Sequence, residues 1–211
     1  MLTDQSMNQT ARKLERLTRT LREHLFFPVG RAEDLGVYQT TVPMHTIPDD
    51  SLYAPAKDCW GGEGVYAWFR MCYTVPEALN GKALFFYPHT EYFEGTLWVN
   101  GKIHSNYAAK FNEGSHGNHW CNRFTPSTKA GERFDFALEC YAWHDVPGTE
   151  PLSDESIRDY TYRVGPADIC TRDDEYMEFL FDLETLLSLR RALPRESCRR
   201  AEIENALYEA T

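Results

Sequence analysis

Several things are missing from this 211-residue chain, and each absence removes a class of function. It has no excess of positive charge: 22 Lys and Arg stand against 32 Asp and Glu, for a net charge of −10. Such a chain does not grip phosphate backbones electrostatically, so nucleic acid is excluded as a partner. No apolar run approaches the 18 or so residues that a membrane-spanning helix needs. The glycines form neither G-x-x-x-x-G-K-[ST] nor G-x-G-x-x-G, which removes the usual nucleotide cradles. The six cysteines include no C-x-x-C pair. The opening MLTDQSMNQTARKLERL has scattered charges and no apolar core before a cleavage site, so it does not read as a secretory signal. Together these features predict reduced thiols and a cytoplasmic setting.

What is present is ordinary globular material, 42% hydrophobic and 14% aromatic. Charge is uneven along it. Residues 1–26 carry five Lys and Arg against three acids, and residues 150–184 carry eleven acids against three bases. Three segments are expected: an N-terminal amphipathic helix over 1–28, a β-sandwich over 29–170, and a strand-and-helix segment over 171–211.

In the first segment, Ser6-Met7-Asn8-Gln9 fits a capping box, and Met7, Leu14, Leu17, Leu21 and Leu25 form one apolar stripe that ends at Phe26-Phe27-Pro28. In the second, residues 65–75 alternate with period two until Pro76 stops them, and Lys82 to Tyr87 reads as a short strand. Thr96 to Val99, Asn100-Gly101 and Lys102 to His104 read as a hairpin, because Asn-Gly accepts the positive φ of a type I′ turn. Phe134 to Ala142 alternates again. Short strands with this punctuation predict a mainly β jelly-roll or sandwich fold, galactose-binding-like in architecture, flanked by helices. In the third, Tyr176 to Asp182 is expected as a strand that turns helical through Leu183, Leu186, Leu187 and Leu189. A second helix follows from Glu196, with no C-terminal stop signal, as though another domain should follow.

Three kinds of chemistry deserve weighing. His116-x-x-His119 with Cys121 has neither structural-zinc nor H-E-x-x-H spacing and reads as a polar loop, so no metal is assigned. Glu63, Glu91, Glu94, Glu113, Glu139 and Asp145 could supply the paired carboxylates of a glycosidase, but spacing alone pairs none of them, and no catalytic residue is assigned. His144-Asp145 lacks a G-x-S-x-G partner. The aromatic residues are more informative. Indole faces pack on the C–H faces of sugars while planar polar groups fix the hydroxyls. On that ground the candidate carbohydrate-binding residues are Trp98, His104, Asn118, His119, Trp120, Asn122 and Arg123, centred on His119–Pro126. Trp68 and Trp143 are assigned to packing.

The stretch Gly62-Glu63-Gly64-Val65-Tyr66-Ala67-Trp68-Phe69-Arg70, then Val75-Pro76, then Leu97-Trp98-Val99-Asn100-Gly101-Lys102, resembles the N-terminal region of family-38 glycoside hydrolases, the cytosolic and bacterial α-mannosidases. Ala130-Gly131-Glu132-Arg133 and Tyr176–Leu183 continue the likeness. Trp-Phe-Arg followed by Val-Asn-Gly also occurs in the galactose-binding-like sandwiches of family-2 glycosidases. The α-mannosidase resemblance implies a non-catalytic domain packed on a barrel of the same polypeptide, with zinc or another divalent metal held in that barrel and none in this chain. It also implies possible self-association and weak carbohydrate binding. The alternatives are a free-standing lectin-like module or the sugar-binding domain of a family-2-type glycosidase.

Overall fold

A computed structural model describes residues 4–108, 121–144 and 160–211. The chain divides into two compact units, Met1–Phe27 with Arg172–Thr211, and Pro28–Thr171.

The larger unit is mainly β. The strands are β1 (Phe26–Arg31), β2 (Glu33–Thr40), β3 (Ala54–Pro55), β4 (Cys59–Gly61), β5 (Tyr66–Thr74), β6 (Leu84–Pro88), β7 (Glu94–Val99), β8 (Lys102–Ala108), β9 (Asn122–Thr125), β10 (Arg133–Tyr141), β11 (Thr161–Arg163) and β12 (Ala167–Arg172). They form a six-stranded sheet in the order β3-β2-β5-β10-β7-β8, a four-stranded sheet in the order β1-β12-β6-β9, and a small ribbon of β4 and β11. β5 and β10 run antiparallel in unbroken register from Arg133 opposite Thr74 to Tyr141 opposite Tyr66.

Side-chain alternation explains why these strands fold as two layers. Ala67, Phe69, Met71 and Tyr73 of β5, and Phe134, Phe136, Leu138 and Cys140 of β10, all point to one face and are buried there. Leu84 and Phe86 of β6, Ile169 of β12 and Phe124 of β9 join the same core from the second sheet. Phe136 touches both Phe86 (ring centroids 4.8 Å apart) and Phe124 (5.0 Å), so aromatic edges lock the layers together. The hairpin between β7 and β8 turns at Asn100 and Gly101, with φ of 49° and 79°, the left-handed pair that a type I′ turn requires.

The opposite face of the large sheet is not simply wet. Trp68 is completely buried there against Trp98, with ring centroids 5.7 Å apart. The segment between β2 and β3 returns to this face. Asp50 pairs with Arg70 at 2.7 Å, and the Arg70 guanidinium lies 5.0 Å from the Tyr53 ring centre. Burial pushes the Tyr53 phenol up to about 12. Glu139, on the strand beside Trp68, is also pushed upward by burial, opposed by the neighbouring Trp98 indole and His45.

The smaller unit contains α1 (Asp4–Glu23), α2 (Asp174–Ala192) and α3 (Cys198–Glu209). Ala11 and Leu14 pack with Leu183, Leu187, Ile203 and Leu207. Two expectations are corrected here. First, α1 already runs at Asp4, so Ser6 lies inside the helix and cannot cap it, and the helix ends at Glu23, with Phe26-Phe27-Pro28 opening β1. Second, Tyr176–Asp182 is helix and not strand. The Asp173 carboxylate accepts the Tyr176 amide at 2.9 Å, and Asp174 and Glu175 occupy the positive first turn, so capping decides the segment.

Candidate functional site

Three pieces of chain converge at the end of the large sheet where β5 begins and β10 finishes. Gly62 and Gly64, with φ of 119° and 71°, make the tight turn leading into β5. The Gly64 amide donates to the Trp143 carbonyl at 2.8 Å, and the Ala142 amide donates to the Val65 carbonyl at 2.9 Å. The Phe93 amide donates to the Tyr141 carbonyl, which fastens the start of β7 to the same corner. Tyr162 adds a fourth tie, its hydroxyl donating to the Ala142 carbonyl at 2.9 Å.

These ties hold Trp143 at φ 79°, a conformation that a bulky L-residue rarely adopts and that persists only where its surroundings fix it. The result is a cluster of rings. Tyr66 stacks on Tyr141 with centroids 4.6 Å apart, and Trp143 lies 4.2 Å from Phe93, 6.2 Å from Tyr141 and 5.7 Å from His144. Tyr66, Tyr141 and Trp143 are half-buried, while His144, Glu63 and Glu94 are exposed. Glu94 is the register partner of Tyr141 across β7 and β10.

Burial, then the neighbouring Tyr66, Glu94 and Glu63, push the Tyr141 phenol above its ordinary value, so it keeps its proton. The Tyr141 hydroxyl and Nδ1 of His144 share a hydrogen bond. The corner thus brings together aromatic rings, an imidazole and the side chains of Glu63 and Glu94. This is the equipment for holding a polyhydroxylated ligand.

The residues nominated from the sequence fall in several places. Asn118, His119 and Trp120 lie outside the described residues, as do His116 and Asp145. Trp98 sits on the outer face of the large sheet beside Trp68, opposite Ile103 on β8. His104, Asn122 and Arg123 do come together, where β8 meets β9. The His104 Nε2–H donates to the Arg123 carbonyl at 2.7 Å, and the Asn122 amide donates to the Asn106 carbonyl at 3.2 Å. Those bonds occupy His104 and Asn122 in joining the edges of the two sheets. Trp60 is buried, its indole donating to the Glu91 carbonyl at 2.8 Å. Glu91 in turn pairs with Arg163 at 2.7 Å, which holds it below the usual carboxylate range. Trp143 does pack against the core, as expected, but it also lines the ring cluster. Among the described residues no group of three or more His, Cys, Asp or Glu side chains is arranged to hold a metal ion.

A second polar group lies on β12. Asp168 accepts from His89 at 2.7 Å and from Arg31 at 3.1 Å. Burial alone would raise its carboxyl, but the hydrogen bonds and charges of His89 and Arg31 overcome this and hold it below the usual range. His89 also packs against the Tyr87 ring, at 4.6 Å. The arrangement ties three strands of the smaller sheet's region together and leaves Asp168 fully engaged.

No family model and no curated protein matches the chain. Solved structures do. A β-glucuronidase from Faecalibacterium prausnitzii aligns with 70% of this chain and 32% of its own, at 10% identity and a TM-score of 0.47. A putative β-galactosidase from Bacteroides fragilis aligns with 69% and 23%, at 11% identity and 0.42. The Bacteroides uniformis β-glucuronidase 2 aligns with 69% and 18%, at 13% identity and 0.45. The chain therefore spans about a third or less of the length of these proteins.

The expected resemblance to family-38 α-mannosidases is corrected by these findings, since the matched structures named here are β-glucuronidases and a β-galactosidase. The physical reason lies in what the quoted residues do. Trp68-Phe69-Arg70 is the middle of a doubly covered strand and Val99-Asn100-Gly101 is a type I′ turn, features that sandwiches of many families need. Tyr176–Asp182, which continued the likeness, is helix and not strand.

Proposed function

We propose that this chain is a carbohydrate-contacting β-sandwich domain of a glycosidase of the family-2 type, working beside a catalytic domain of the same polypeptide. The observation that carries the reading is the ring cluster of Tyr66, Tyr141 and Trp143, held rigid by backbone hydrogen bonds and edged by His144, Glu63 and Glu94. The sandwich supplies the rigidity. Strand ends and a constrained turn position the rings, so little side-chain freedom is lost when a ligand arrives.

Trp68-Phe69-Arg70 and Val99-Asn100-Gly101 build the strand and hairpin of the same sheet that ends in this corner. Affinity for a single sugar is modest. A monosaccharide glycoside of about a dozen heavy atoms at roughly 0.3 kcal/mol each gives a Kd on the order of 1 mM.

The test is a titration of the chain with methyl glycosides, followed by tryptophan fluorescence. Saturable quenching in the low millimolar range that vanishes in Trp143→Phe and persists in Trp60→Phe supports the reading. Flat curves to tens of millimolar refute it.

A further inference from the structure

We infer that the outer surface of the α1–α2 pair is a self-association face, on which two copies of this chain meet about a two-fold axis. The direction of the helices sets the geometry. Arg22 pairs with Glu184 at 2.7 Å and Arg191 pairs with Glu15, so α1 and α2 run antiparallel. Residues around Glu15 therefore lie at the end of the pair where α2 finishes, and residues ahead of Glu184 lie toward the end where α2 starts.

Two exposed rows follow from the helical period. On α1, Arg12, Arg16 and Arg19 recur at i, i+4 and i+7 on the side opposite Ala11 and Leu14. On α2, Glu178, Phe181, Asp182 and Thr185 recur on the side opposite Leu183 and Leu187. Ile203 and Leu207 of α3 close that core, so both rows share the surface of the pair turned away from α3. Among the described residues, Arg12, Arg16, Arg19, Glu178 and Asp182 make no ion pair. The Phe181 ring beside the two acids is 63% exposed, more than any other aromatic ring described.

Opposite charges stand at opposite ends of one surface. Arg16 and Glu178 are roughly 18 Å apart along the pair, beyond the screening length of about 8 Å at physiological salt, so they do not compensate each other within one copy. A second copy turned end for end brings the arginine row of each over the acidic row of the other and covers both Phe181 rings. The occupant is a second copy because this one surface holds both complementary halves, the self-complementarity that a two-fold contact requires.

The size of the contact sets its strength. α2 has 19 residues, so it is about 28 Å long, and a helix is about 10 Å wide. Two helix-on-helix contacts, counted on both partners, bury about 1,100 Å², which is the low end for a specific complex. The dimer is therefore micromolar and depends on its charges. Salt at about 1 M, where the screening length falls to about 3 Å, should weaken it roughly tenfold.

The experiment is sedimentation velocity on the whole chain across roughly 1–200 µM, which brackets a micromolar Kd, at low and high salt. Arg12→Glu/Arg16→Glu, Glu178→Arg/Asp182→Arg and the chain carrying all four changes are run alongside, with circular dichroism confirming that each is folded. The parent should dimerise, each double reversal should be monomeric, and the four-fold variant should dimerise again, because the signs are exchanged and the complementarity is restored. That rescue separates lost charge pairing from lost folding. A parent that stays monomeric throughout overturns the inference and leaves the face to another domain of the same polypeptide. Dimers that persist in both double reversals overturn the assignment to this surface, as does a folded four-fold variant that stays monomeric. Open-ended oligomers overturn the two-fold arrangement. None of these outcomes bears on the carbohydrate reading, which stands or falls by its own titration.

Discussion

Replacing Trp143 by alanine and by glycine should invert the usual order of stability. In an ordinary strand position glycine is the worse residue by roughly 0.5–1 kcal/mol, because it has more unfolded-state freedom to lose. At Trp143 the backbone has φ 79°, held by the Gly64 amide on the Trp143 carbonyl and the Ala142 amide on the Val65 carbonyl. Both substitutions remove the same ring contacts, to Phe93 at 4.2 Å and Tyr141 at 6.2 Å. Each aromatic pair is worth about 0.5–1.5 kcal/mol, so both variants should lose roughly 2–3 kcal/mol once the lost burial is included. Alanine keeps the left-handed penalty of about 1–2 kcal/mol, whereas glycine escapes it. Setting that relief against glycine's entropic cost leaves Trp143→Gly more stable than Trp143→Ala by about 0.5–1 kcal/mol. In a chain of this length that is a melting difference of roughly 1–4 °C, measurable by near-ultraviolet circular dichroism. Thr96, half-buried on β7, serves as the ordinary comparison site. If Trp143→Ala melts at or above Trp143→Gly, the constrained corner is not constrained and the argument for a pre-formed platform is wrong.

Three further outcomes follow from the same structure. Gly61→Ala should be severely destabilising, because a Cβ there would meet the Tyr160 carbonyl oxygen at 2.0 Å with φ at +126°; loss of soluble expression, or a melting point at least 5 °C lower on the scale of 1 kcal/mol per roughly 2–4 °C, checks it. Asp168 has a folded pKa below its ordinary 3.8, so its stabilisation is complete above about pH 4 and is lost as pH falls through the lower folded value. Urea midpoints between pH 6 and pH 2.5 should therefore fall more steeply in the parent chain than in Asp168→Asn, and parallel curves would contradict the assignment. Leu187→Ala, at the centre of the helical core, should cost about 2–5 kcal/mol by urea unfolding, while Ser188→Ala beside it should change little.

The sequence made the sandwich readable because its signals are local. Period-two alternation in 65–75 and 134–142 carries its own explanation, and Asn100-Gly101 names its turn type. Tyr176–Asp182 was misread because apolar Met177, Phe179 and Phe181 alternate over a short run, while the deciding information sat upstream in Asp173, Asp174 and Glu175. The candidate site was legible only in pieces. Tyr66 and Tyr141 are 75 positions apart, and only the β5–β10 register brings their rings together. Nothing local announces that Trp143 takes a positive φ, because the hydrogen bonds that impose it come from the Gly62–Val65 turn. Two glycines just ahead of an aromatic strand were the one available hint. The planar polar residues chosen by composition, His104, Asn122 and Arg123, did cluster, yet His104 and Asn122 spend their hydrogen bonds on the junction of the two sheets.

Isothermal titration of methyl β-D-glucopyranoside into the parent chain and into Trp143→Gly tests the central claim most directly. The account requires a millimolar isotherm in the parent chain and none in the variant, with the variant still folded. Matching isotherms for the two proteins, or no heat from either, would contradict it.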